Sequence, residues 1–202
     1  MNDNYFYDYV DILERVLSYA YNRKYATPFV ERGISYSSFF QKIEKDSYGF
    51  PPIATDKTII KEIFSKEEDN LVDLPTYNQC LWASESYMHI QLKTHLTFEA
   101  IFLYIPINKM YEYFPLYHEM DFSHIVKEFQ RLFEQESVFS KLIKKYGYSL
   151  NNISEFTGIS YETLYSIKQR RREAEKASFN TIMKISNVLN VRPETVAELE
   201  IK

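Results

Sequence analysis

The sequence predicts a mainly α-helical fold, α+β overall, with a mixed N-terminal domain that contains a small sheet and a C-terminal domain of five helices. Three observations lead to this fold class. Apolar residues recur at helical spacing along much of the chain. Two stretches near the middle favour β-strands, and the last third divides into five short segments with helical signals.

The N-terminal part begins with three predicted helices. Asp3 or Asn4 can cap the first helix, residues 37–45 form the second, and Thr55 or Asp56 can cap the third. The apolar stripes of the first and third helices are Tyr9, Ile12, Leu13, Val16 and Leu17, and Ile59, Ile60, Ile63 and Phe64. Their spacing places each stripe on one helix face.

The predicted sheet consists of two strands, residues 79–83 and residues 97–107. The second stretch is rich in aromatic and β-branched residues, which strands prefer. Pro106 lies inside it, which indicates that strand pairing ends there or that the strand lies at a sheet edge. Residues 84–96, between the strands, are predicted to be helical.

Two further helices complete the predicted N-terminal domain. Residues 108–119 favour a helix that Pro115 interrupts. Asp121 can cap an amphipathic helix that extends through Phe133. The domain therefore spans residues 1–135 in this interpretation, and residues 137–202 form the second domain.

The C-terminal domain is predicted from capping and stop signals. Ser149 and Ser160 can cap its second and third helices, Gly147 ends the first, and Pro193 marks the start of the fifth. The apolar positions of the first, fourth and fifth helices are Val138, Leu142 and Ile143; Phe179, Ile182, Ile185, Val188 and Leu189; and Val196 and Leu199.

The second and third C-terminal helices meet the requirements of a helix-turn-helix motif. Ser154 is the small residue at the point where they cross, and Gly158 tolerates the positive φ of the turn. The residues expected to point inward are Ile153, Ile159, Leu164 and Ile167. The opposite face of the third helix is then free to enter a DNA major groove.

This segment resembles the XRE family, the Cro-like repressors of phages and bacteria. The matching positions are Ile153 and Ser154, Gly158 to Ser160, Thr163 and Leu164, Ile167, and Ile185, Val188, Leu189 and Val191. Two features depart from the family pattern. Three arginines follow Gln169 where the family usually has Gly-Lys, and the connection to the fourth helix is longer than usual.

The resemblance implies which residues contact DNA. The outward face of the third helix provides the base-contacting candidates, Tyr161, Glu162, Tyr165, Ser166 and Gln169. The phosphate-contacting candidates are Ser149, Ser160, Lys168, Arg170, Arg171 and Arg172. A degenerate module used only for packing or dimerisation is the alternative, and it gains support from Glu162, whose charge opposes that of a DNA-binding surface.

The charge of the chain is distributed unevenly. Residues 137–202 contain 11 Lys and Arg against 7 Asp and Glu, a balance of +4. The other 13 basic and 21 acidic residues lie before them, a balance of −8. The basic domain is therefore expected to approach double-stranded DNA, and the acidic one to avoid it.

Several classes of protein are not expected. Cys80 is the single cysteine, so an intramolecular disulfide and a multi-cysteine zinc site are excluded. His118, Asp121 and His124 are three residues apart and could hold a metal, but Asp121 is better placed as a helix cap. We expect no enzyme, no cofactor, no bound metal and no membrane segment, and a cytoplasmic location.

The sequence leaves two functional hypotheses. The first is a sequence-specific DNA-binding regulator, a repressor of phage or mobile-element type, which binds an inverted-repeat operator as a homodimer held by residues 1–135. In the second, the acidic domain is an antitoxin or inhibitor that neutralises a toxin or a host-defence nuclease. The C-terminal domain then represses its own gene.

Overall fold

The computed structural model describes residues 5–46, 52, 54–65, 77–169 and 178–198. These residues form thirteen α-helices and no β-strand. The chain divides into two compact units, unit 1 (Met1–Phe129) and unit 2 (Gln130–Lys202). The helices are α1 Phe6–Asn22, α2 Thr27–Tyr36, α3 Ser38–Asp46, α4 Asp56–Phe64, α5 Asn78–Thr94, α6 Phe98–Tyr104, α7 Ile107–Tyr117, α8 Ser123–Gln135, α9 Val138–Lys145, α10 Leu150–Thr157, α11 Tyr161–Lys168, α12 Phe179–Leu189 and α13 Pro193–Ala197.

The predicted sheet in the N-terminal domain is wrong. Residues 97–107, the second predicted strand, instead form helix α6 and the start of α7. Phe98, Ala100 and Ile101 are all fully buried and even Glu99 is only 9% exposed, so α6 is enclosed on nearly every side. Such a helix lacks the polar face that reveals helical periodicity, and a short apolar run cannot be told from a strand by its pattern alone.

Residues 79–83, the other predicted strand, belong to the 17-residue helix α5. Cys80, Trp82 and Ala83 are buried, and so are Tyr87, Met88 and Ile90 further along the helix. Because α5 is enclosed on several sides, it too has no single apolar stripe. The separate helix predicted for residues 84–96 is the continuation of α5 rather than a link between strands.

Unit 1 is built around α1 and α5, which pack against each other, while α2 contacts α3, α4, α6 and α7. The approach of α2 to α4 is close at Gly33, where a Cβ atom would overlap Ile63 Cγ2. The Tyr87 hydroxyl donates to the Ile105 carbonyl at 2.9 Å in the core. Burial raises the pKa of Tyr87, which therefore stays a neutral donor.

Three helices of unit 1 begin against a glutamate from a distant part of the chain. Glu44 accepts the backbone N–H of Phe98 at 2.7 Å, and Glu31 accepts that of Ile107 at 2.8 Å. Glu62 accepts the N–H of Ser38 at 2.7 Å. Each donor is the first residue of its helix, so these carboxylates satisfy N–H groups that have no partner within the helix.

Unit 2 contains five helices after α8, at the places where the sequence predicts them. Helices α9 and α13 contact each other, α10 packs against α11 and α12, and α12 packs against α13. Leu142, Ile153, Leu164, Ile185 and Val196 each contribute a fully buried side chain to this core. The predicted division at residues 135–137 remains a prediction, since the contacts divide the chain after Phe129.

Candidate nucleic-acid interface

The turn between α10 and α11 is held by four hydrogen bonds. Gly158 has a φ of +69° and donates its N–H to the Ser154 carbonyl at 2.8 Å. The Ser154 hydroxyl donates to the Ile159 carbonyl at 2.6 Å. The Thr157 hydroxyl donates to the Ile153 carbonyl and accepts the N–H of Ile159. Ser154 is therefore the small residue predicted for the helix crossing, and its hydroxyl also stabilises the turn.

Helix α11 has one buried face and one exposed face. Leu164 and Ile167 are buried at 0% and 1% exposure and anchor the helix in unit 2. Tyr161, Glu162, Tyr165 and Gln169 are exposed, and Ser166 is half-buried. The five base-contacting candidates therefore differ in solvent exposure, because Ser166 lies towards the buried face of the helix.

Tyr161 and Tyr165 form a stacked pair on this exposed face. Their ring centroids are 6.2 Å apart and the ring planes differ by 14°. The two residues are one helical turn apart, which makes this contact a natural consequence of the helix geometry. Thr163 is also exposed and adds a hydroxyl to this face. It matches the family pattern but is not among the predicted DNA-contacting residues.

The two predicted phosphate-contacting serines are occupied as helix caps. The Ser149 hydroxyl donates to Asn152 Oδ1 at 2.6 Å and accepts the Asn152 N–H at 3.1 Å. Ser160 accepts the N–H of Thr163 at 3.3 Å. A serine has one hydroxyl proton, so a phosphate bond from Ser149 requires the bond to Asn152 to break. The backbone N–H groups of these helix starts remain the better phosphate donors.

Lysines from α9 and α11 line a cavity of about 500 Å³ in unit 2, which the sequence interpretation missed. Lys168 is half-buried, and its carbonyl accepts the Ser137 hydroxyl at 2.7 Å. Lys141 and Lys144 lie in the same cavity. The signal was available in the sequence, because the apolar positions Val138 and Leu142 leave these lysines on the opposite side of α9.

The charges around this cavity are partly paired. Lys144 Nζ lies 2.5 Å from Glu136 Oε1. Burial raises the pKa of Glu136, but hydrogen bonds from Lys144 and Ser140 outweigh burial, so the pKa is lowered overall. Burial lowers the pKa of Lys141; Glu136 opposes this by raising it, and the neighbouring Lys144 lowers it further, so the pKa is lowered overall. Lys141 and Lys168 are therefore partly shielded from water at this cavity, whereas the Lys144 side chain is 67% exposed.

The remaining predictions concern the three arginines, Asp121, a metal site and a membrane segment. Arg170, Arg171 and Arg172 lie outside the described residues. Asp121 caps the turn before α8 by accepting the Ser123 N–H at 2.8 Å. In the described parts of the chain, His, Cys, Asp and Glu side chains form no group of three or more that could hold a metal. None of the described helices is both long and apolar enough to cross a membrane.

Comparison with known proteins agrees with this geometry. Residues 139–201 match the family model of the Cro/C1-type HTH DNA-binding domain. No curated protein and no solved structure matches the chain. The match covers α9 to α13 and does not extend into unit 1. The resemblance to the XRE family is confirmed, and residues 139–201 carry a helix-turn-helix DNA-binding domain of the Cro/C1 type.

Proposed function

We propose that this chain is a transcriptional repressor of phage or mobile-element type that binds a specific operator in the cytoplasm. The observation that supports this most directly is the anchoring of α11. Leu164 and Ile167 are buried, the turn at Gly158 is fixed, and the opposite face of the helix is open. A helix held in this way can enter the major groove without being reordered.

Base reading is assigned to Tyr161, Glu162, Tyr165, Ser166 and Gln169. Gln169 and Ser166 can pair with base edges, Glu162 can accept from cytosine, and a tyrosine can contact a thymine methyl group. Lys168 and the three arginines after Gln169 are assigned to phosphates, together with the capped starts of α10 and α11. Lys141 and Lys144 are also assigned to phosphate contacts.

Replacement of Ser166 by Glu tests the base-reading face. Bound fragments are first selected from the genomic DNA of the source, and affinity is then measured by fluorescence anisotropy. Ser166→Glu is expected to abolish specific binding, because it places a negative charge against base edges and phosphates. Asn187→Glu, at an exposed position of α12, adds the same charge and is expected to retain most of the affinity.

The fold of the Ser166→Glu variant needs a separate measurement because Ser166 is half-buried. Far-ultraviolet circular dichroism should show the wild-type helix content. If Ser166→Glu and Asn187→Glu both fold and lose specific binding equally, the assignment of base reading to this face of α11 is wrong. Unfolding of Ser166→Glu alone would show that the residue belongs to the core.

Replacement of the three arginines tests the phosphate assignment. Arg170, Arg171 and Arg172 changed together to Ala should weaken binding to every DNA sequence alike. The slope of log affinity against log salt should fall by about one for each phosphate that these arginines neutralise. A weakening confined to one sequence, with an unchanged slope, would mean that these arginines read bases.

A homodimer held by residues 1–135 follows from the small size of the DNA-binding domain. A single small reader buries roughly 600–1,000 Å² on DNA, which seldom gives tight binding alone. Pairing places two α11 helices about 34 Å apart on one side of an inverted repeat. Sedimentation of the full chain should show a dimer at micromolar concentration, and a monomer that protects a single half-site would contradict it.

The antitoxin alternative is supported by the charge of −8 on residues 1–136. Such a surface could cover the basic face of a toxin or nuclease. The Ser166→Glu variant separates the alternatives, since it should keep neutralising activity while losing repression. A toxin gene adjacent to this one, whose product co-purifies with the full chain, would favour the alternative.

A further inference from the structure

A cavity of about 380 Å³ lies inside unit 1, between the end of α1, the start of α2 and the middle of α7. Ala20, Val30 and Ile107 form an apolar floor and are 5%, 1% and 2% exposed. This volume is within the range of small-molecule sites, which combine apolar walls with a few polar groups. All of the residues that line it belong to unit 1.

The side walls of the cavity are three tyrosine rings, Tyr21, Tyr25 and Tyr111. Tyr21 and Tyr111 meet edge to face, with centroids 6.0 Å apart and planes at 89°. The ring of Tyr25 lies 4.7 Å from that of Phe64, and the Tyr111 hydroxyl lies 3.5 Å from Cys80 Sγ. Their contacts hold these rings in place, so binding of an aromatic guest costs little for ordering them.

The charged residue at this cavity is Lys24, and its backbone conformation is unusual. Lys24 has a φ of +55°, the left-handed conformation that glycine normally supplies at the end of a helix. The Lys24 N–H bonds to the Tyr21 carbonyl, and the Tyr25 N–H bonds to the Ala20 carbonyl. This is the Schellman arrangement, in which a non-glycine residue carries a conformational cost.

The rim at Lys24 is positive, whereas the Glu31 carboxylate lies against the floor residue Ile107, whose N–H it accepts at 2.8 Å. Lys24 has no carboxylate within 4.0 Å among the residues that the structure describes, and no acidic residue lines the cavity in that part of the chain. Thr27, the first residue of α2, lies at the same cavity, so the positive end of a ten-residue helix adds to the lysine charge.

We infer that this cavity binds a small aromatic carboxylate, with the ring between the tyrosines and the carboxylate at Lys24 and Thr27. The apolar floor and the ring walls select the aromatic body, and the cationic rim selects the acid. The positive-φ lysine is consistent with selection for the side chain, because glycine would relieve the backbone cost at that position but would remove the charge.

The test is titration calorimetry of the full chain with 2-naphthoate and with the uncharged 2-naphthamide, without DNA. Naphthoate should bind about two- to fivefold more tightly than the amide, the range expected for one partly exposed ion pair. Absence of naphthoate binding at millimolar concentration overturns the inference, and so does a preference for the amide.

Two variants locate the site. Lys24→Gly should lower naphthoate affinity to that of the amide, leave amide affinity unchanged, and keep or raise the stability of unit 1. Tyr21→Ala, which truncates a ring that is already 45% exposed, should weaken both ligands about two- to tenfold. Ligand affinities that neither variant changes would place the binding elsewhere and overturn the assignment. Trp82 is buried, so an emission spectrum like that of the wild type confirms in each case that unit 1 is folded.

Discussion

The two units of this protein begin their helices in different ways. In unit 2, four successive helices, α9 to α12, are each capped by the side chain of the serine that precedes them, namely Ser137, Ser149, Ser160 and Ser178. In unit 1, α1, α2, α5 and α7 have no side-chain cap of this kind. The starts of α3, α6 and α7 meet Glu62, Glu44 and Glu31. Local caps are present at α4 and α6, from Thr55 and Thr97.

The difference lies in the sequence separation between the start of a helix and the side chain that accepts hydrogen bonds from its free backbone N–H groups. A capping serine is adjacent to its helix, whereas Glu31 is 76 residues from Ile107 and Glu44 is 54 residues from Phe98. Unit 2 therefore specifies its helices locally. Unit 1 completes the starts of α3, α6 and α7 only when distant segments have come together, so its local and tertiary structure should be lost together.

The single tryptophan makes the comparison measurable. Trp82 lies in α5 and is buried, so its fluorescence reports the unfolding of unit 1. Far-ultraviolet circular dichroism reports the helices of both units. The following variants are ordered from the largest expected effect to the smallest, and all are compared with the wild-type full chain in urea.

The largest effect is expected from Phe98→Ala, which truncates a fully buried ring in α6. The ring contacts Phe40 edge to face at 5.4 Å, so its removal leaves a cavity in the core. The free energy of unfolding of unit 1 should fall by about 3–5 kcal/mol. A decrease below about 1 kcal/mol in the Trp82 transition would contradict the assignment of α6 to the core.

A smaller decrease is expected from Glu31→Ala, which removes the acceptor at the start of α7. The carboxylate is 6% exposed, and a bond to a charged group contributes about 1.5–3 kcal/mol. The Trp82 transition should move to lower urea by that amount. Glu31→Gln keeps an acceptor oxygen and should recover part of the stability; equal decreases in both variants would show that charge rather than capping matters.

A decrease of about 1 kcal/mol is expected from Ser149→Ala, which removes the local cap of α10. The circular dichroism change attributable to unit 2 should move to lower urea, while the Trp82 transition should stay in place. Ser149→Asp provides another capping oxygen and is expected to restore most of the stability. A shift of the Trp82 transition in Ser149→Ala would show that the two units do not unfold independently.

The smallest effect is expected from Ser86→Ala in α5. The Ser86 hydroxyl is fully buried and has no hydrogen-bond partner among the described residues. Removal of a buried hydroxyl that makes no bond relieves a desolvation cost, so unit 1 should keep its stability or gain up to about 1 kcal/mol. A decrease above about 1 kcal/mol would reveal a partner for this hydroxyl and another long-range contact in unit 1.

Much of the DNA-binding domain was predictable from the sequence because its determinants are local. Serine caps, the glycine at position 158 and the apolar spacing of Leu164 and Ile167 each act within a few residues. The exposure of Tyr161, Glu162, Tyr165 and Gln169 follows from the same helix phase. The half-buried position of Ser166 required the structure, because it depends on neighbours in three dimensions.

The sequence by itself determined the five C-terminal helices, the turn and the segregation of charge, since each is encoded by nearby residues. Only the tertiary structure decided that residues 79–83 lie in α5 and that residues 97–107 form α6 and the start of α7, because helices enclosed on several sides leave no clear periodic pattern in the sequence. It also decided which glutamates reach helix starts 54 and 76 residues away, and that Lys24 and three tyrosines surround one cavity. Contacts of that range depend on how the whole chain packs, and no local window contains them.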